Sequence, residues 1–224
     1  MTKQNKIFNL CDSIDLKIIG RSFPQAWDTK SKALLEENNK RVEEDKFNII
    51  PVEGYSVKIS KSVKLTDGLS SFMTVHSPIY SESLISFLRG FNLPSHRLIP
   101  ITIFREKDIV TERKYYIVHF LGNEIPNVDF KKSEFDYASG GAFLDKSLLH
   151  FDDYNDYWEK INRKDFGFAI VKKVVMRSSL EKDLFFLDTL NGSATFITEK
   201  LKEAMEAEKI AGFRFEEFGH IDEL

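Results

Sequence analysis

Residues 196–218 read FITEKLKEAMEAEKIAGFRFEEF, and their pattern decides the fold class. Ile197, Leu201, Ala204 and Met205 repeat at helical spacing, Thr198 stands where an N-cap belongs, and Gly212 is placed to end the helix. Phe213 and Phe215 then begin a strand. A helix leading straight into a strand, in a chain whose other segments also mix the two periods, predicts α+β: a mixed or mostly antiparallel sheet packed with amphipathic helices.

The segments upstream agree. DLFFL (183–187) and FGFAIVKKVVM (166–176) read as strands, with a turn at Asn191-Gly192. HFDDYNDYWEKINRKDFG (150–167) reads as a helix. Asp152 and Asp153 start it, Tyr154, Tyr157, Trp158 and Ile161 share one face, and Lys160, Arg163 and Lys164 close it, so that both ends suit the helix dipole. YYIVHFL (115–121) lacks polar alternation and predicts a strand buried on both faces, whereas Ile99, Ile101 and Ile103 alternate. In SESLISFLRG (81–90), Ser81 is an N-cap, Leu84, Phe87, Leu88 and Phe91 form the apolar face, and Gly90 sits where a left-handed C-cap residue belongs. Residues 28–47 read as a solvated helix with a thin apolar stripe at Leu34, Leu35 and Val42.

No repeat, low-complexity tract or Pro/Gly/Ser linker interrupts the 224 residues, so one globular unit is expected, with a soft division at 82/83. The single cysteine, Cys11, excludes an intrachain disulfide. Neither a leader's apolar core nor a run of about 20 apolar residues is present, which predicts a cytoplasmic protein with no membrane partner.

The net charge of −3 argues against nucleic acid, whose phosphates demand clustered cations. The charge is uneven: residues 129–160 and 199–224 each hold eight acids against four bases, leaving the remainder at +5. Acidic surface of this kind steers a basic partner. The acids on the outer face of the 150–167 helix, Asp152, Asp153, Asp156 and Glu159, are therefore the candidate partner-binding residues. The aromatic stripe beside them reads first as core and second as an interface anchor rimmed by charge.

Reaction chemistry leaves little trace. His76, His96, His119, His150 and His220 are separated by 20 residues or more, so no pair has metal-ligand spacing. GLSSF (68–72) has Phe72 where a nucleophile elbow needs its second glycine. ASGGA (138–142) lacks the P-loop lysine and the dinucleotide glycine spacing and reads as a turn. Cys11 has no neighbouring base. No catalytic residue, metal or cofactor is expected, although His150, Asp152, Asp153 and His119 stay open as the members of a dispersed active site.

One resemblance goes further. Phe196, Thr198, Glu199, Lys200, Leu201, Lys202, Glu203 and Ala204, followed by Gly212, Phe213 and Phe215, resemble the C-terminal signature of a bacterial immunity-protein family, the eleventh in the usual catalogue of polymorphic toxin systems. The similarity continues upstream through RLIPITIF (97–104), YYIVHFLGNEIPNVDFKKSEF (115–135), with its Asn127-Val128-Asp129 element and Lys132-Ser133 pair, and DLFFLDTLNGSATF (183–196). Roughly residues 83–218 are covered. What the resemblance implies is a protein that binds one cognate protein toxin in the cytosol and blocks it stoichiometrically without turnover. Residues 1–82 would be a variable lobe. A non-inhibitory adaptor is the other non-enzymatic reading.

Overall fold

A computed structural model of the chain describes residues 5–28, 56–71, 78–122, 124–138, 148–161, 168–177, 180–187 and 195–221. In chain order the strands are β1 (Asn5–Asp12), β2 (Ala26–Asp28), β3 (Ser56–Ile59), β4 (Gly68–Leu69), β5 (Ile79–Ser81), β6 (His96–Arg105), β7 (Asp108–Ile109) and β8 (Tyr115–Phe120), then β9 (Glu134–Ala138), β10 (Leu148–Leu149), β11 (Phe168–Met176), β12 (Leu184–Phe186), β13 (Thr195–Thr198) and β14 (Phe213–Ile221). The helices are α1 (Leu16–Ile19), α2 (Glu82–Leu88), α3 (Tyr154–Ile161) and α4 (Glu199–Ala207), with a 3-10 turn at Ile125–Asn127. The fold is α+β.

The chain divides into two compact units, each with its own mixed sheet. The first comprises Met1–Leu10, Asn123–Lys202 and Phe215–Leu224; the second comprises Cys11–Gly122 and Glu203–Arg214. The second unit takes residues from both sides of the soft division expected at 82/83. Several pairs join strands far apart in sequence, β1 with β13 and β11 with β14 among them, and no linker composition marks where the chain crosses over.

In the first unit the strand order is β10-β9-β11-β14-β1-β13-β12. β11 runs parallel to β14, while β9 pairs antiparallel with β10 and β11, and β13 pairs antiparallel with β1 and β12. Its core is aromatic: Phe130, Phe135, Phe151, Tyr157, Phe185 and Phe196 are buried together with Ile7, Val174 and Met176. β12 is buried throughout, which explains its uninterrupted apolar run.

In the second unit the order is β2-β3-β6-β8-β5-β4, with β7 on β6. β3 and β6 are parallel, and the other pairs are antiparallel. Val57, Ile59, Ile79, Ile103, Tyr115 and Ile117 form its core. The strand expected at 115–121 is β8, with only Tyr116 and His119 half-buried among its members.

Two helix ends differ from the reading of the sequence. Ser81 caps α2 as expected, its Oγ accepting from Leu84 N at 3.2 Å. Gly90, however, is not left-handed: Arg89 closes the helix in right-handed geometry, and Gly90 N donates to Phe87 O at 3.2 Å in a tightened last turn. α4 ends at Ala207, well before Gly212. The left-handed residue there is Lys209, at φ 55°. Lys209 N donates to Glu206 O at 3.1 Å and Ile210 N to Met205 O at 2.9 Å, the paired bonds of a Schellman motif. The helix expected at 28–47 lies outside the described residues apart from Asp28, which ends β2.

Candidate partner-binding surface

The residues that carry the resemblance are used by the fold. In the first unit Phe196 is buried against Phe185 and Phe218. Thr198 Oγ1 accepts from Leu201 N at 3.4 Å and donates to Asp183 Oδ1 at 3.1 Å, while Lys200 Nζ lies 3.0 Å from Asp183 Oδ2. The Lys202 ammonium stands over the rings of Phe8 and Phe215, at 5.1 and 5.8 Å from their centroids. The upstream elements stitch the end of β11: Ser133 Oγ donates to Asp129 O and accepts from Val175 N, Asp129 N donates to Val175 O, and Arg177 N donates to Asn127 O.

The glycine and phenylalanine of the signature have an equally structural task in the second unit. Gly212 sits at φ +105°, and a Cβ there would collide with Gly68 O. Reciprocally, a Cβ on Gly68 would enter the ring of Phe213, which packs edge-on against Tyr80 with centroids 5.7 Å apart. Asp67 ties the two turns. Its Oδ2 accepts from Ala211 N at 2.9 Å, its Oδ1 accepts from Ser81 Oγ and Ser83 Oγ at 3.1 Å each, and Arg113 Nη1 lies 3.3 Å from that oxygen.

α3 is different. Its start is built from acids: Asp153 Oδ1 accepts from Asp156 N at 2.9 Å, and Asp156 Oδ2 accepts from Asp152 N at 3.0 Å, a reciprocal arrangement close to a capping box. Asp156 also holds Lys160 at 2.8 Å one turn on. That hydrogen bond, with the Asp152 N–H as the second cause, lowers the Asp156 pKa. Of the four acids expected to meet a partner, Asp153 and Asp156 therefore serve the helix itself. Asp152 is exposed, with Lys131 Nζ 3.9 Å from its Oδ1, and Glu159 is exposed.

The aromatic stripe splits between core and surface. Tyr157 is buried, with Phe151 edge-on at 5.1 Å and Phe130 at 5.6 Å. Tyr154 and Trp158 are 37 % and 43 % exposed, with ring centroids 6.2 Å apart. At about 100° per residue they stand about 60° and 100° round the helix from Tyr157, which carries them past the edge of the buried face. Tyr154 is in turn backed by buried Phe130 at 6.2 Å. The core-first reading of this stripe is thus corrected for Tyr154 and Trp158; the Ile161 side chain lies outside the described set. The helical phase alone could have separated these two residues from Tyr157. The result is an aromatic pair braced from the core, beside the exposed carboxylates of Asp152 and Glu159.

Of the remaining candidates, His119 is a half-buried residue of the second unit, and His150, exposed, belongs with Asp152 and Asp153 to the first. Among the described residues no group of three or more His, Cys, Asp or Glu could hold a metal. Ser70 of GLSSF is fully buried, its Oγ accepting from Gln25 N at 2.9 Å. Burial raises the Cys11 pKa, which keeps it a thiol. Apart from Ala138, ASGGA lies outside the described residues, as does His76. Among the described residues no helix is long and apolar enough to cross a membrane. No protein-family model matches the chain, and no curated protein matches it either.

Proposed function

We propose that the chain is an immunity protein that neutralises one cognate bacterial toxin by stoichiometric binding in the cytosol, with no catalysis of its own. The observation that carries the proposal is the Tyr154–Trp158 pair: two large, partly exposed rings, Tyr154 packed on buried Phe130 and Trp158 beside Tyr154, on a helix where Asp152 and Glu159 are also exposed. Pre-ordered aromatic side chains are the residues from which interface hot spots are built, because little side-chain freedom is lost when they are buried. Their acidic flank fits a basic toxin surface and would steer the encounter. The class of partner comes from the resemblance over residues 83–218, and its lack of cofactor, metal or nucleic acid agrees with the charge and motif reading above.

Coexpression with the product of the adjacent upstream gene tests the proposal. Growth is expected with this chain present and arrest without it, with a 1:1 complex isolable from the survivors. A toxin that stays lethal, or a gene product harmless on its own, would sink the reading. A complex in which the toxin keeps its activity would identify an adaptor instead.

A further inference from the structure

We draw no further inference here: the strongest candidate, the row on the face of the second unit's sheet opposite its core where Lys58, Phe104 and Ile109 pair across β3, β6 and β7, with Ile109 58 % exposed, carries nothing, because nothing in the structure shows what covers it.

Discussion

α4 and α3 are both short amphipathic helices studded with acids, yet they treat their conspicuous residues in opposite ways. Around α4, Thr198, Lys200, Leu201 and Lys202 are each engaged in a cap, an ion pair, the core or a cation–π contact. Around α3, the cap and one ion pair absorb Asp153 and Asp156, while Tyr154, Trp158, Asp152 and Glu159 keep much of their surface exposed. A recognisable motif therefore marks what the fold demands. The proposed partner surface is made instead of side chains that keep exposed area beyond what the cap and core of α3 require.

This contrast predicts that damage to the signature is damage to stability. Gly212→Ala places a Cβ against Gly68 O at a left-handed φ, so a loss of about 3 kcal/mol or more is expected in denaturant unfolding. A loss below about 1 kcal/mol would mean that the 66–68 and 211–213 turns yield easily, and the structural account of the signature would fail.

The opposite variant is Trp158→Ala. Stability should change by less than about 1 kcal/mol, while affinity for the proposed toxin partner, measured by calorimetry, should fall by at least about 2 kcal/mol, roughly 30-fold. Unchanged affinity would move the interface off α3 and leave the contrast between the two helices without functional meaning.

A third test concerns Asp12, at the end of β1. Burial pushes its pKa from 3.8 up to about 6, and the Arg214 guanidinium offsets only part of this. Between those values the unfolded chain has released a proton that the folded chain keeps. Stability from this group is thus full below about pH 4 and is lost as pH rises through 6. Asp12→Asn should flatten that slope and raise stability at pH 7.5 by about 1–2 kcal/mol, allowing for partial exposure. A slope unchanged in the variant would assign it to other groups.

The legible parts of the sequence were those governed by local rules. Ser81 and Thr198 were readable as caps because a hydroxyl three residues before a free N–H has few other uses, and β12 because an unbroken apolar run can only be buried. Gly212 was noticed for the wrong reason: its position after a helix suggested a C-cap, whereas the demand on it comes from Gly68, far away in sequence. The two units were invisible for the same cause, since β1 and β14 join their sheet through long-range pairing that periodicity cannot register. On α3 the acids looked like the surface and the rings like the core. Helix capping claims half of the acids, and helical phase exposes two of the three rings.

The smallest effect tests the same distinction at one residue. Lys209 holds the left-handed position that closes α4, where the backbone of any residue with a Cβ is disfavoured by about 1–2 kcal/mol. Lys209→Gly removes that penalty but gives the unfolded chain extra freedom worth about 0.5–1 kcal/mol, so a net gain of about 0.5–1 kcal/mol is expected in thermal or denaturant unfolding. Lys209 is exposed and Gly212 buried, so a substitution that relaxes the first and one that crowds the second should move stability in opposite directions. Neither should alter toxin affinity as Trp158→Ala does. If Lys209→Gly weakened binding without lowering stability, the end of α4 would belong to the interface, and the assignment of the signature to folding alone would have to be withdrawn.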